Sequence, residues 1–506
     1  MADLGVPVAV TPGILTISDA LTWSVVRCLI IASLGIIPSG WLATSVRRVG
    51  AGGSRWVWLT LILIPCLVPE LLTGFTYRLM AARVMQSRIA TDTLYAVLLL
   101  FRCVSVGAAV RLMLPAEQSV ETSLYSWKLL RPQRSILAWF TGWLRLKADG
   151  PWRPAIVSWS LMCLVSFQEF ETAALLQLGQ HPISWSVSLF DAHAARQPLS
   201  DSLRMTIAPV LMQLLLVAPS LLLTMFTPVT RPLIPTHAGS LLRESANSKP
   251  RRHWVRQTTA VVWSIIGLGL FLIWPLVVSF RELWGGVFTI ARQPELIAQS
   301  MRQIFVSLAF AAASTIVALR AASWLTHNRS RRMNMVFMLP GLTGSLITSI
   351  MVVALMQTPP LRWLYDTWLP LLLGQSLAVM PRALLLTRLL SQQQNPAAVH
   401  SARLMGESAD PETRRKAHRL IWQLQDFPWF LGGLIICHWC FWDVTVASVL
   451  RPVQLEPVVT RLYNEMHYGR TELLTTMTAS AMIIPIAAGT LVILIRRYMV
   501  FHPGRK

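Results

Sequence analysis

Charge is scarce in this chain, and acidic charge most of all: 13% of the 506 residues are Asp, Glu, Lys or Arg, and only 23 are acidic. A water-soluble domain carries about 25% charged residues, so the shortage argues against a soluble enzyme. Collagen, coiled-coil and disordered readings fail on composition as well. Cysteine is sparse. The six, Cys28, Cys66, Cys103, Cys163, Cys437 and Cys440, all lie in apolar stretches, which argues against a disulfide framework. The stretch Met1 to Ala20 lacks a basic n-region and a continuous apolar core, so no cleavable signal peptide is expected. No Gly-x-x-x-x-Gly-Lys-Ser/Thr loop occurs, and with it goes the usual cradle for ATP phosphates.

What remains is apolar and basic. Hydrophobic residues make up 54% of the chain, and 45 Lys plus Arg leave a formal charge of +22. A nucleic-acid binder would add its basic residues to a polar surface; low total charge with a positive surplus points to a membrane, with the surplus in cytoplasmic loops. The 21 tryptophans suit interfacial belts. Apolar windows of about 20 residues predict helices at Leu21 to Ala43, Trp56 to Phe75, Leu94 to Leu114, Ala155 to Leu176 and Met205 to Phe226. Further windows run from Thr259 to Phe280, Ile304 to Ala322, Met335 to Met356, Trp368 to Leu390, Phe430 to Leu450 and Leu474 to Ile495. Pro65, Pro340 and Pro381 fall inside these windows and read as kinks.

Basic residues alternate between the loops. Arg47 and Arg48, Lys128 to Arg153, Arg243 to Arg256, Arg329 to Arg332, Arg403 to Arg419 and Arg496 onward mark one side, which is assigned to the cytoplasm. The N-terminus is then outside and the C-terminus inside.

An internal repeat accompanies this pattern. At the spacing that separates Cys163 from Cys437, Pro154 matches Pro428, Phe167 matches Phe441, Glu169 faces Asp443, Ala173 matches Ala447 and Leu176 matches Leu450. Asp92-Thr93 and Asp366-Thr367 keep the same spacing. The expected fold is all-α: a polytopic membrane protein of about eleven spans, in two parallel homologous five-helix units with one extra helix before the second. The divisions are an extracytoplasmic segment 1–20, a first unit 21–226, a basic cytoplasmic linker 227–258, the extra helix 259–280, an outer loop 281–303, a second unit 304–495 and a tail 496–506. A path is expected between the units.

Each unit places its longest cytoplasmic loop between its third and fourth helices. In the second, Pro396 can open a short helix, Gly406 can end it in a left-handed conformation, and a basic stretch through Arg419 returns to the membrane. The segment Ser401-Ala402-Arg403-Leu404-Met405-Gly406, preceded by His400, resembles the coupling motif of the inner-membrane permeases of ATP-binding-cassette importers, which runs Glu-Ala-Ala, three residues, Gly and later Ile-x-Leu-Pro. Glu121-Thr122-Ser123 resembles its opening in the first loop, where Trp127 stands in place of glycine. Neither loop carries the Ile-x-Leu-Pro end. Phe167 to Leu176 and Asp443 to Pro452 resemble the acidic, aromatic and small-residue segments of the fused two-half type that serves ferric iron, with thiamine and other small-solute relatives.

The resemblance implies a permease in a bacterial inner membrane. ATPase subunits would grip the two loops, an extracytoplasmic solute-binding protein would dock outside, and the chain would be no enzyme itself. The departures in the coupling loops favour a second reading, a coupling-deficient membrane scaffold. A third is an ion-gradient-driven transporter.

Glu169 and Asp443 are the most informative intramembrane charges, because ionisable groups there are costly unless they meet a cavity or a partner. Either they flank a solute path or they accept hydrogen bonds that hold the bundle together. Cys437-His438-Trp439-Cys440 invites a metal reading, yet His438 leaves the face that the two cysteines share, and buried cysteine is ordinary. No metal site and no cofactor is expected. The basic clusters are explained by topology and by anionic headgroups without nucleic acid.

Overall fold

A chain surrounded by lipid must satisfy its backbone hydrogen bonds internally, and among the described residues helices are the only regular elements. The computed structural model describes residues 14–48, 53–84, 88–114, 135, 142–144, 147–148, 152–176, 184–225, 250–292, 294–327, 331–393, 396–468 and 471–501. It divides into two units, Met1–Leu276 and Val277–Lys506.

The first unit comprises α1 (Ile14–Arg48), α2 (Gly53–Leu67), α3 (Glu70–Val84), α4 (Arg88–Met113), α5 (Arg153–Gln168), α6 (Glu171–Leu176), α7 (Trp185–Ala194), α8 (Leu199–Met225) and α9 (Pro250–Leu268). A π-helical turn, Gly269–Ile273, joins α9 to α10 (Trp274–Ala291). The second unit comprises α11 (Pro294–His327), α12 (Arg331–Leu342), α13 (Gly344–Met356), α14 (Leu369–Gln393), α15 (Pro396–Gly406) and α16 (Pro411–Ile421). After a second π turn, Trp422–Asp426, come α17 (Phe427–Phe441), α18 (Val444–Leu450), α19 (Val458–Tyr468) and α20 (Thr471–Phe501).

Among the described residues, eight helices are long and apolar enough to cross a membrane, or ten if each of two bent pairs forms one span. The bent pairs are the second expected spans of the two halves. Between α2 and α3 the axis turns by 68°. Pro69 at this point lacks an N–H and disfavours helical geometry at Val68. Between α12 and α13 it turns by 113°, and Gly344 takes the turn at φ 86°, where a side chain would be strained. The fourth expected span, Ala155 to Leu176, is not one helix: it divides into α5, of 16 residues, and α6, of 6, and Phe430 to Leu450 likewise divides into α17 and α18.

Among the described residues, apart from α15–α16 in the second unit and α9 after the first, one order recurs in each unit: a long helix, a bent pair, a long helix, a broken pair, a short helix and a long helix. Packing recurs with it. In the first unit α1 packs on α4 and α5, and α3 on α6; in the second α11 packs on α14 and α17, and α13 on α18. A polar detail repeats too. The N-terminal amide of the short helix is held by a hydroxyl from the first long helix, Trp185 N to Ser24 Oγ at 3.3 Å and Val458 N to Ser307 Oγ at 2.8 Å.

The extra helix joins the first unit. Although it stands just before the second in sequence, α9 packs on α1 and α2. Ala260 completes a buried cluster with Leu42, Val46, Ile62, Val104 and Ala108, and Trp263 stacks on Phe101 at 4.2 Å. The π turn beyond it offers the Leu270 carbonyl to the buried Tyr77 hydroxyl of α3 at 2.9 Å.

Candidate functional site

Breaking a helix inside the membrane strands the amides of the next one, and a carboxylate at the break is a local remedy. In the first unit this falls to Glu169. Its side chain accepts from the Thr172 amide at 2.5 Å and the Ala173 amide at 3.3 Å, the first turn of α6. The carbonyls freed at the end of α5 are also met: Trp185 Nε1 donates to Phe167 O at 2.8 Å and Ser186 Oγ to Glu169 O at 2.9 Å.

The buried Tyr95 hydroxyl of α4 also donates to Glu169. Around this pair the two broken spans meet. Glu171 accepts from the Leu71 amide at 3.1 Å, at the start of α3. Arg102 is buried in α4, pairs with Glu70 at 3.2 Å and donates to the Val68 carbonyl at 3.0 Å, the group exposed by the bend. Arg27 of α1 lies over the Tyr95 ring at 4.8 Å and pairs with Asp92 at 3.4 Å. Four carboxylates and two guanidiniums thus tie α1, α3, α4 and α6 together where both spans are interrupted.

The second unit has the same cap in a quieter setting. Asp443 accepts from the Val446 amide at 3.0 Å and from the Ser345 hydroxyl of α13 at 2.7 Å. Gln375 of α14 takes the part of the polar bridge, accepting from Ser314 at 3.0 Å and donating to the freed Cys440 carbonyl at 3.3 Å. Asp366, the sequence counterpart of Asp92, accepts from the Val453 amide at 3.1 Å. Both acids therefore stand at a helix break, and in both the carboxylate is a helix cap.

Arg382 finds an aromatic partner, lying over the Trp439 ring at 5.0 Å. Cys440 is buried and accepts from the Thr315 hydroxyl at 3.8 Å, as a small buried side chain does. Among the described residues, no group of three His, Cys, Asp or Glu side chains is placed to hold a metal ion.

The long loop of the second unit forms a helical hairpin, α15 against α16. Ala402 and Ala417 are buried between its arms, Gly406 is half-buried, and His400, Ser401 and Leu404 are exposed. Gly406 does not adopt the expected left-handed conformation: Gly344 is the described glycine with positive φ. The last turn of α15 instead tightens, with Glu407 N bonding Leu404 O at 3.1 Å and Ser408 N bonding Met405 O at 3.3 Å, so the carbonyls are satisfied without it. Glu121, Thr122, Ser123 and Trp127 lie outside the described residues.

Asp410 caps α16, accepting from Thr413 N at 2.9 Å, Glu412 N at 3.2 Å and the Thr413 hydroxyl. The Thr413 hydroxyl, followed by the two amides, holds its carboxyl below the ordinary Asp range. A folded pKa below the unfolded one contributes stability above the unfolded value and loses it as pH falls through the folded value. The protection of the Glu412 and Thr413 amides, taken relative to their intrinsic exchange rates, is therefore expected to fall as pH drops below about 4, near the ordinary Asp pKa. Asp410→Ala should exchange fast there at every pH.

No protein-family model, curated protein or solved structure matches this chain. The fold and the paired breaks define a polytopic helical membrane protein.

Proposed function

We propose that the chain is the permease subunit of an ATP-driven importer, forming the membrane path for a small solute. One observation carries this reading. The same order of long helix, bent pair, long helix, capped break, short helix and long helix occurs twice, with Glu169 and Asp443 at equivalent breaks. A duplicated order of this kind suits the internally repeated build of membrane transporters. Interrupted helices are the usual way in which backbone and carboxylates reach a membrane-embedded path. The hairpin α15–α16 supports the reading from the cytoplasmic side, as an exposed knob joined through Trp422–Asp426 to the broken span.

Ferric iron is the first solute to test, with thiamine or another small solute next. ATP hydrolysis is assigned to separate subunits, delivery to an extracytoplasmic binding protein, and the site of action to the bacterial inner membrane with the N-terminus outside.

Purification from native membranes tests this. The full chain should bring down an ATP-binding-cassette ATPase, and Leu404→Asp on the exposed hairpin face should lose it at unchanged membrane abundance. Membranes that yield no ATPase would favour a scaffold or a gradient-driven carrier instead. The ion-rich cluster around Glu169 is the observation that keeps the gradient-driven reading in play, and ATP-independent uptake that follows the proton gradient would select it.

A further inference from the structure

Between α13 and α14 the second unit departs from the repeat. At the spacing that pairs Asp92 with Asp366, Arg362 to Trp368 corresponds to Arg88 to Leu94. Arg88 to Leu94 form the opening turns of α4, whereas Arg362–Leu364 is a 3₁₀ turn followed by bends, and α14 begins only at Leu369. Pro359 and Pro360 precede the turn; neither has an N–H, and each holds the residue before it out of helical geometry. The side chains change with the backbone: Ile89, Thr91 and Leu94 give way to Trp363, Tyr365 and Trp368.

The three rings are 74%, 43% and 57% exposed. The polar groups beside them serve the segment itself. Trp363 Nε1 donates to Pro360 O at 3.0 Å, the Thr367 hydroxyl to Leu364 O at 2.7 Å, and the Asp366 carboxylate accepts from the Val453 amide at 3.1 Å. The rings are thus held outward by a shelf stiffened from within, and a contact has little left to order. Position indicates what they meet. The stretch of α14 apolar enough to cross a membrane is Leu369–Arg388, 20 residues, and Trp368 stands just outside it. On α13, Met351 and Leu355 are exposed one turn apart, and the shelf begins where that helix ends at Met356. The rings therefore continue an exposed apolar face, at the end of α14 remote from the hairpin. Trp and Tyr concentrate in the headgroup layer, where a ring meets acyl carbon and water at once, and the exposed Arg362 carries the charge that a lipid phosphate attracts.

We propose that residues 357–368 form an interfacial shelf that seats the second unit in the lipid headgroup layer. Trp363, Tyr365 and Trp368 lie among the glycerol and upper acyl groups, and Arg362 meets lipid phosphate. The shelf fixes the depth at which α13 and α14 stand in the bilayer. The inference rests on the membrane-spanning character of the second unit, and not on transport.

Bimane fluorescence of the full chain in vesicles of phosphatidylcholine and phosphatidylglycerol tests it. The label is placed on Trp363→Cys, with Tyr365→Cys as the substitute if that variant does not fold, and the unsubstituted chain supplies the background of the native cysteines. His400→Cys on the exposed hairpin face is the aqueous reference. The shelf label should lose most of the iodide quenching seen at His400, and a lipid nitroxide near the headgroup should quench it more than one near the chain end. Moving the shallow nitroxide from phosphatidylcholine to phosphatidylglycerol should strengthen quenching by up to about fivefold, the local enrichment that one basic residue gives. Arg362→Gln should abolish that gain. Iodide quenching equal to that at His400 would put the shelf in water, with its rings left for a protein partner, and would overturn the proposal. Protection from iodide and from both nitroxides would mean that protein covers the rings, and stronger quenching by the deep nitroxide would place them in the core; either result overturns it too. The absence of any gain with phosphatidylglycerol would overturn the phosphate contact. None of these readings depends on an ATPase or a solute, so they stand apart from the test of the permease.

Discussion

Glu169→Ala is expected to destabilise the first unit by about 3 kcal/mol, the range for removing a charged acceptor from buried donors. The substitution strands the Thr172 and Ala173 amides and the Tyr95 hydroxyl together, in surroundings where water cannot replace the carboxylate. Unfolding in detergent, followed by tryptophan fluorescence, should show a midpoint several degrees lower, and Tyr95→Phe should recover little of the loss because the two amides remain unmet. A midpoint unchanged in Glu169→Ala would mean that the cap is dispensable. The matching change in the second unit separates structure from transport. Asn caps a helix about as well as Asp, so Asp443→Asn should keep the Val446 bond and the stability while removing the charge. If Asp443 serves a solute path, uptake collapses in this variant at normal abundance; uptake at the wild-type rate leaves Asp443 a cap and nothing more.

Gly341→Ala should be the most damaging methyl addition in the second unit, at about 2 kcal/mol or more for forced overpacking. A Cβ at 341 would sit 2.5 Å from the Leu377 carbonyl and 2.7 Å from Pro381 Cγ, a backbone atom and a rigid ring that cannot swing aside. Pro381 has no N–H to give the Leu377 carbonyl, so α14 presents an open backbone face there, and α12 comes close onto it just before its bend. Gly433→Ala is the control. Its nearest neighbour would be Leu319 Cδ1 at 3.5 Å, ordinary contact, and its thermal midpoint should stay near the wild type.

These two sites show which parts of the molecule its sequence made legible. The windows of hydropathy located long apolar helices, eight or ten among the described residues where eleven were expected, and the spacing that pairs Glu169 with Asp443 singled out two acids that lie at breaks. The breaks at those acids escaped, because an averaged window runs on across them: Ala155 to Leu176 is apolar on average although Gln168, Glu169 and Glu171 lie within it, whether or not the backbone is continuous. A signal was present, since Asp443 stands three residues before an amide it caps, and Asp is a preferred N-cap. Gly344 after Pro340 likewise marked a turn sharper than a kink. Tyr95, Arg102, Arg27 and Glu70 carried no such mark. Each is a single polar residue in an apolar helix, and only the packing of α1, α3, α4 and α6 brings them to one place. The partner of the extra helix was illegible for a similar reason: order along the chain does not say which neighbour buries Ala260 and Trp263.

The helical path from Pro411 to Phe441 runs as one element through its π turn. At 1.5 Å per residue such a rod is about 46 Å long, more than a hydrocarbon core is thick. One end carries the hairpin; the other stops at the Asp443 cap. No hinge of loop residues lies between them, so under the proposed function a tilt imposed on the hairpin would be carried along the rod, past its packing on α11 and α14, to the Asp443–Ser345 bond at the break.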